Sequence, residues 1–303
     1  MPGPQVFYPA MSLSQLPRLR RSLLYVPGSH ARALEKAVTL PADGLVLDLE
    51  DAVLPAAKVS AREAVLTAVA ARSFGHREVV IRINGLNTEW GLADLEAAAS
   101  CAVDGILLSK VDSPVPLLTA AQLLDERRAP VTLRLWAMAE TPEAILAIDE
   151  IARCTPRLAV IVLGTADLGR ALRIPPAPGR IGLLAALSRC LLAARAARVD
   201  ILDGVYPLLT DATGFRAECQ HGRSLGFDGK TLIHPGQIET ANEIFGVSDS
   251  EAAIATELVA AWESAAADGS GVAVVAGRMV ERLHADEARR QLALYRLIQD
   301  RSG

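Results

Sequence analysis

The sequence has few aromatic residues and no block of positive charge. Phe, Trp and Tyr make up 4% of the 303 residues, and 31 lysines and arginines stand against 35 aspartates and glutamates, which leaves a formal net charge of −4. Surfaces that bind nucleic acids are usually rich in Lys and Arg, with aromatic rings that stack on bases. We therefore expect no nucleic acid as a partner.

Cysteines are few and widely spaced, since Cys101, Cys154, Cys190 and Cys219 form no C-x-x-C pair. Zinc sites and disulfide frameworks need closely spaced or regularly paired cysteines, so neither is expected. The chain also lacks an apolar run that approaches the length of a membrane span, and segment 1–21 has no apolar core of a signal peptide. These absences favour a cytoplasmic protein with no membrane partner.

Three common catalytic motifs are missing as well. The sequence contains no G-x-S-x-G elbow, no G-x-x-x-x-G-K-[ST] loop and no G-x-G-x-x-G turn. These motifs mark serine hydrolases, P-loop enzymes and dinucleotide oxidoreductases, respectively. None of these three classes is favoured.

The chain does contain a regular alternation of apolar runs with Ala/Leu-rich stretches of helical spacing, within a composition that is 51% hydrophobic. Eight such runs lie at 22–26, 44–48, 78–82, 104–109, 131–138, 159–163, 199–203 and 226–233. Continuous apolar runs suit parallel strands that are buried on both faces, and eight βα units in about 250 residues are typical of a closed barrel. The predicted fold class is α/β, a (β/α)₈ TIM barrel. An open doubly wound sheet stays the alternative, because periodicity does not report closure.

The helical stretches carry their own signals. Ser29 is predicted to cap the first helix, and the stretch 183–198 is apolar nearly all round, which predicts a well-buried helix. Pro175, Pro176 and Pro178 predict an irregular loop after the sixth strand.

The pattern changes after the eighth strand. We predict helices at 237–245 and 249–267, a Gly-rich break at 268–271, a strand-like piece at 272–275 and a final helix from about 285. The chain is thus divided into an N-terminal arm (1–19), a TIM-barrel catalytic domain (20–246) and a C-terminal helical extension (247–303).

Polar residues follow nearly every predicted strand, at the end of the barrel where TIM-barrel chemistry takes place. They are Pro27-Gly28-Ser29, Asp48-Leu49-Glu50-Asp51, Arg82-Ile83-Asn84, Lys110, Glu140-Thr141, Gly164-Thr165-Ala166-Asp167, Asp203 and His234-Pro235. So many acids on one ring, with few cations among them, would repel one another unless a cation lay inside. Oxygen ligands without a His/Cys cluster favour Mg²⁺ over zinc, with Mn²⁺ as a possible substitute. Glu140 and Asp167, on adjacent strand ends, are the predicted metal ligands.

Two further strand-end residues have alternative interpretations. Arg82 projects from an apolar strand, so its guanidinium pairs either with a substrate carboxylate or with a structural partner such as Glu50. His234, a lone loop histidine, is more often a structural residue than a ligand-contacting one.

These residues lie in segments that jointly resemble the HpcH/HpaI aldolase/citrate lyase family, in its citrate lyase β-subunit-like branch of malyl-CoA, methylmalyl-CoA and citramalyl-CoA lyases. The segments are 20-RRSLLYVPGS-29, 47-LDLEDAVLPAAKVSAREAV-65, 81-IRING-85, 137-AMAET-141, 163-LGTADLG-169, 202-LDGVYP-207, 225-LGFDGKTLIHPGQI-238 and 277-GRMVERLHADEARRQLA-293. They run in family order over most of the chain, and their combination is far more specific than any one alone.

The resemblance implies a TIM barrel that assembles as a homotrimer or hexamer, with Mg²⁺ held by Glu140 and Asp167. It implies that Arg82 contacts the substrate, and that the backbone from Gly164 through Thr165 and Ala166 to Asp167 cradles an oxo-acid carboxylate. Ala166 stands where several relatives have Glu or Asn, which changes the pocket beside the metal.

The resemblance also implies that the C-terminal segment reaches a neighbouring subunit's active site. The family pattern Gly-Lys-Met-Ile-Asp reads 277-GRMVE-281 here, so Glu281 replaces the family's aspartate and lengthens its reach by one methylene.

The predicted activity is that of a Mg²⁺-dependent carbon–carbon lyase. Such an enzyme cleaves a 3-hydroxyacyl-CoA into an acyl-CoA and a 2-oxo acid, or forms it from them. Arg82, held by Glu50 or Asp51, would stabilise the developing negative charge. The proton would go to Glu281 or to a metal-bound water. The alternatives are an acyl-CoA thioesterase of the same family, a CoA-independent aldolase, and a citrate lyase β subunit that works with an acyl carrier protein.

Overall fold

The computed structural model of the protein describes residues 18–71, 73–175 and 179–302. Eight parallel strands form a closed barrel in which each strand pairs with its neighbours in chain order and β1 pairs with β8. The strands are β1 Ser22–Pro27, β2 Gly44–Asp48, β3 Glu78–Ile83, β4 Gly105–Leu108, β5 Arg134–Ala139, β6 Leu158–Leu163, β7 Asp200–Asp203 and β8 Gly229–Leu232. The predicted (β/α)₈ barrel is confirmed, and the open doubly wound alternative is wrong.

Helices follow the strands along the chain. They are α1 Ala31–Ala37, α2 Lys58–Ala71, α3 Gly91–Ala99, α4 Val115–Glu126, α5 Pro142–Leu146, α6 Ile148–Arg153, α7 Thr165–Ala171, α8 Leu184–Ala197, α9 Ala212–Leu225 and α10 Ile238–Ile244. None of the helices in the described part of the chain is long and apolar enough to cross a membrane.

Two local predictions about helices need correction. The residue that caps α1 is His30 rather than Ser29, because the helix begins one residue later and the His30 Nδ1 accepts the Ala33 N–H at 3.1 Å. Helix α8 buries one face against the barrel, but Leu192 is 74% exposed, so the helix is not buried all round. Of the predicted proline loop, Pro176 and Pro178 lie outside the described residues, as does nearly all of the predicted N-terminal arm.

Alternation along the strands divides the core into two parts. One cluster of buried side chains fills the barrel interior and consists of Leu23, Val46, Val80, Leu107, Trp136, Met138, Val160, Val162 and Leu202. The intervening strand residues, among them Leu45, Ile81 and Ile161, pack with the helices in a larger cluster. Because strand side chains alternate between faces, the residue two positions after each interior residue also points inward, nearer the carboxyl end.

The chain from Gly246 onward forms a second compact unit, separate from Arg20–Phe245. It contains α11 Asp249–Ala267, β9 Ala273–Val275, β10 Arg278–Val280 and α12 Arg282–Ser302. Ser248 and Glu251 form a capping box at the start of α11. The antiparallel pair β9–β10 turns through Ala276 and Gly277, which both have positive φ, as a two-residue hairpin requires. The final helix starts at residue 282, slightly before the predicted start.

Candidate active site

Strand alternation places four polar side chains at the carboxyl end of the barrel interior. Tyr25, Asp48, Arg82 and Glu140 each follow an interior residue of the same strand by two positions. Asp48 and Arg82 are also direct register partners on β2 and β3. The sequence therefore brings an aromatic ring, two acids and a guanidinium into one region at the end where barrel enzymes bind substrates.

Arg82 is held mainly by Asp48, a residue that the sequence analysis did not choose. Its Nε and Nη2 donate to the two carboxylate oxygens of Asp48 at 2.6 and 2.5 Å. Its Nη1 lies 3.0 Å from Glu50 and 4.0 Å from Asp51, so the predicted partners are secondary. Sequence reasoning missed this partner, because the register that puts Asp48 opposite Arg82 on adjacent strands is set only in the folded sheet.

The environment keeps the Arg82 guanidinium charged. Arg82 is 8% exposed and its guanidinium carbon lies 4.8 Å from the centre of the Tyr25 ring. Burial alone would lower the pKa of Arg82, but the hydrogen bonds from its guanidinium to Asp48 and the negative charge of Asp48 raise that pKa above its usual value. A charged, oriented guanidinium with a planar fork suits a substrate carboxylate or an oxyanion.

Glu50 is buried between Arg82 and a second cation, Lys110. The Lys110 ammonium pairs with Oε1 of Glu50 and lies 3.7 Å from Asp51, which is exposed. The backbone of this loop is supported by Lys58, whose Nζ donates to the carbonyls of Leu49 and Glu50 at 3.0 and 2.8 Å. Lys58 did not figure among the candidates from sequence, and Lys110 was noted there only as a strand-end residue.

Glu140 is the more deeply buried of the two predicted metal ligands, with 2% of its surface exposed. The Lys110 N–H donates to its Oε1 at 2.7 Å. The pKa of Glu140 is raised to about 7, mainly by burial and further by the negative charges of Glu50 and Asp167. The hydrogen bond from the Lys110 N–H acts in the opposite direction and lowers that pKa. A buried carboxylate near two other acids stays ionised at neutral pH most readily when a cation is bound.

The segment from Gly164 to Asp167 leads from β6 into the first turn of α7. Thr165 is buried and Ala166 is exposed. Asp167 is 31% exposed and accepts a hydrogen bond at 2.6 Å from Arg170, which is 82% exposed. An exposed pair of this kind contributes little stability, so Asp167 can exchange Arg170 for another cation at small cost.

The two remaining candidates lie apart from this group in the chain. His234 caps a short turn, 235–237, with Nδ1 accepting the Gly236 N–H at 3.1 Å, which is the structural role that the sequence favoured. Glu281 precedes α12 in the C-terminal unit, and its N–H is bonded to Nδ1 of His284 at 3.0 Å. Whether Glu281 serves an active site stays a prediction.

The donor set fits a small hard cation. Within the described residues no group of three or more His, Cys, Asp or Glu side chains converges as a metal cluster. Mg²⁺ needs only one or two carboxylates, because waters and substrate oxygens complete its octahedron. Glu140, with its raised pKa, and Asp167, with only a surface partner, have the properties of such a pair.

Comparisons with known proteins identify the family to which the chain belongs. The sequence profile of the HpcH/HpaI aldolase/citrate lyase family matches residues 21–235. A (3S)-malyl-CoA thioesterase of Cereibacter sphaeroides is 48% identical over 273 residues, with 90% of this chain and 93% of that protein covered. The citrate lyase subunit beta of Escherichia coli K12 is 37% identical over 277 residues, with 90% and 92% covered.

Solved structures show the same fold. CitE from Mycobacterium tuberculosis in complex with magnesium, acetoacetate and coenzyme A superposes with a TM-score of 0.73 at 26% identity, covering 90% of this chain and 97% of that one. The citrate lyase beta subunit of M. tuberculosis with oxaloacetate and magnesium gives a TM-score of 0.63 at 28% identity, with 74% and 96% covered. The predicted family is confirmed by sequence and by fold, and the chain belongs to the HpcH/HpaI aldolase/citrate lyase family.

Proposed function

We propose that this protein is a Mg²⁺-dependent carbon–carbon lyase that acts on a malyl-type CoA thioester. The observation that carries the proposal is that a charged, Asp48-held Arg82 is connected through Glu50 and Lys110 to the buried carboxylate Glu140 at the carboxyl end of the barrel. Cleaving a 3-hydroxyacyl thioester releases an enolate, and the reverse reaction must form one. Both directions need a fixed positive charge where negative charge develops.

Glu140 and Asp167 would hold Mg²⁺, and Mn²⁺ could substitute for it. When bound, the ion supplies Lewis-acid polarisation of a substrate oxygen. The cradle from Gly164 through Thr165 and Ala166 to Asp167 would receive the carboxylate of the 2-oxo acid. The structural relatives that contain magnesium together with acetoacetate or oxaloacetate support this assignment.

Arg82 would bind the oxygen on which charge develops, because its guanidinium stays protonated throughout. Asp48 and Glu50 hold it in place and keep it charged, while Asp51 lies at the edge of the group. The proton needed at the enolate carbon or at the hydroxyl would be exchanged with Glu281 or with a water molecule. Glu281 would come from the C-terminal extension of a neighbouring subunit in a homo-oligomer.

Thioester hydrolysis is the second candidate, and a specific observation favours it. The C. sphaeroides proteins that are 46–48% identical to this chain are (3S)-malyl-CoA thioesterases. The same Arg82 and Glu140 could orient the substrate while water attacks the thioester carbonyl. Relatives that are citrate lyase beta subunits share 34–37% identity with this chain. A citrate lyase β subunit that works with an acyl carrier protein therefore remains an alternative.

Product analysis separates the two reactions. The purified protein would be incubated with malyl-, methylmalyl- and citramalyl-CoA plus Mg²⁺, and free CoA would be resolved from shorter acyl-CoA products. Acetyl-CoA or propionyl-CoA with an equivalent of 2-oxo acid identifies the lyase, and free CoA with the intact hydroxy acid identifies the thioesterase. No turnover of any thioester, combined with cleavage of a free hydroxy-oxo acid, would instead identify a CoA-independent aldolase.

A further inference from the structure

Lys110 connects the two halves of the proposed site. Its backbone N–H donates to Oε1 of Glu140 at 2.7 Å, on the side of the proposed metal. Its ammonium pairs with Oε1 of Glu50, whose other oxygen lies 3.0 Å from Nη1 of Arg82. One residue therefore contacts both the predicted metal ligand and the acid that helps to hold the arginine.

The backbone of Lys110 has an unusual conformation, with φ of 52°. The other described non-glycine residues with positive φ have a local cause. Arg128, Arg173 and Arg198 follow the ends of helices, and Ala276 lies in the β9–β10 hairpin turn. Lys110 follows β4 almost directly, where no helix end or hairpin requires this conformation. Left-handed conformations of bulky residues persist where the surroundings demand them, and they cluster at functional sites.

The conformation redirects one N–H of the β4–β5 ladder. Lys110 donates to the Glu140 side chain, and the next residue, Val111, returns to backbone pairing by donating to the Met138 carbonyl at 3.3 Å. The carboxylate of Glu140 is thereby oriented by a rigid backbone group. The ammonium end faces a different acid, so the two contacts of Lys110 are chemically independent.

We propose that Lys110 is a positioning residue with two separable actions: its backbone N–H orients Glu140 for the cation, and its ammonium, acting through Glu50, keeps Arg82 available to the substrate. Without the ammonium, Oε1 of Glu50 would lose its cation. The buried Glu50 carboxylate would then turn toward Arg82 and compete with the substrate for the guanidinium. This inference builds on the proposed function, but its first test needs no substrate.

The backbone action is tested by Mg²⁺ binding, measured by titration calorimetry on a matched pair of variants. Lys110→Gly and Lys110→Val both remove the ammonium, but glycine tolerates positive φ and a β-branched residue does not. We expect Lys110→Gly to keep Mg²⁺ affinity near the wild-type value and Lys110→Val to lower it by about tenfold. Equal affinities in the two variants would overturn this action. If Lys110→Val does not fold, Lys110→Ala makes the same comparison with a smaller expected loss.

The ammonium action is tested by a double-mutant cycle with Glu50→Gln. We expect Lys110→Met to lower kcat by about tenfold or more in the wild-type background and to have little effect once Glu50 is neutral. Lys110→Arg should restore most of kcat, and Lys36→Met on the exposed face of α1 should change nothing. Equal losses in both backgrounds would show that Lys110 does not act through Glu50.

The affinity for oxaloacetate, measured in the presence of Mg²⁺, repeats this cycle without turnover. We expect Lys110→Met to weaken oxaloacetate binding only while Glu50 is intact. A wild-type protein that binds Mg²⁺ and oxaloacetate but turns over no malyl-type thioester would contradict the proposed function. It would leave both actions of Lys110 to be decided by the binding data.

Discussion

Gly164 lies against Glu140 so closely that it has no room for a side chain. A Cβ placed on Gly164 would be 2.3 Å from Cβ of Glu140 and 2.8 Å from its Oε2. The Cβ of Glu140 is attached directly to the backbone just after β5, so it could move away only if the backbone shifted. Glycine at this position therefore allows Glu140, which follows β5, to pack against the residue that follows β6 and leads into the segment that carries Asp167.

The first prediction follows from this contact. Gly164→Ala should displace Glu140 and lower Mg²⁺ affinity by about tenfold or more, because small displacements of metal ligands have effects of that size. Titration calorimetry with Mg²⁺ measures it, and circular dichroism confirms that the barrel still folds. Gly169→Ala is the matched control, because an added Cβ there meets no atom within 4 Å. Unchanged affinity in a folded Gly164→Ala protein would remove Glu140 from the metal site.

The second prediction concerns the geometry of Arg82. Arg82→Lys keeps a positive charge but removes the fork that Asp48 holds at 2.6 and 2.5 Å. We expect kcat to fall by about a hundredfold or more with folding intact, since one oriented donor at a developing negative charge can contribute this much. Steady-state kinetics on the accepted thioester measures it. Near-normal turnover would make Arg82 a structural bridge between β2 and β3.

The third prediction concerns stability at alkaline pH. Burial raises the pKa of the Cys190 and Cys219 thiols to about 12, above the ordinary value of 9.0 that the unfolded chain would have. Between these values the native thiols stay protonated while the unfolded ones ionise, so the native state binds more protons. The free energy of unfolding should therefore decrease as pH rises above about 9.

Urea denaturation at pH 8 and pH 10 measures this effect. The decrease should be smaller in the Cys190→Ala/Cys219→Ala protein than in the wild type, whatever the loss of stability at pH 8. Cys101→Ala removes one half-buried thiol whose pKa is also raised by burial, and it should reduce the decrease by less than the double variant does. The same decrease in the double variant as in the wild type would show that the two buried thiols do not contribute.

The fourth prediction is that the C-terminal extension works in trans. If Glu281 completes the active site of a neighbouring subunit, Arg82→Ala and Glu281→Ala chains, each nearly inactive alone, should regain activity when mixed. Some mixed oligomers would then contain one site with both residues intact. Activity would be measured after subunit exchange, with exchange itself followed by labelled chains. Mixtures that exchange but stay inactive would mean that Glu281 serves its own barrel or no site at all.

The sequence by itself determined the eight strands and the polar residues that follow them, whereas closure of the sheet into a barrel was decided only by the tertiary structure. Eight apolar runs at regular spacing predicted eight parallel strands, because buried strands of this kind have no solvent-facing residues to interrupt the pattern. Arg82 ends the third of these runs and Glu140 follows the fifth, so the order of residues along the chain placed both at the carboxyl end of the strands. The family resemblance rested on these same positions.

Partners across strands could only be decided by the tertiary structure. The sequence favoured Glu50 or Asp51 for Arg82, but register between β2 and β3 put Asp48 opposite it. The left-handed backbone of Lys110 and its contact with Glu140 were equally unreadable, because they depend on how β4 meets β5. Register and close approach arise from the packing of distant segments, and a one-dimensional pattern reports which face a residue takes but not which neighbour it meets.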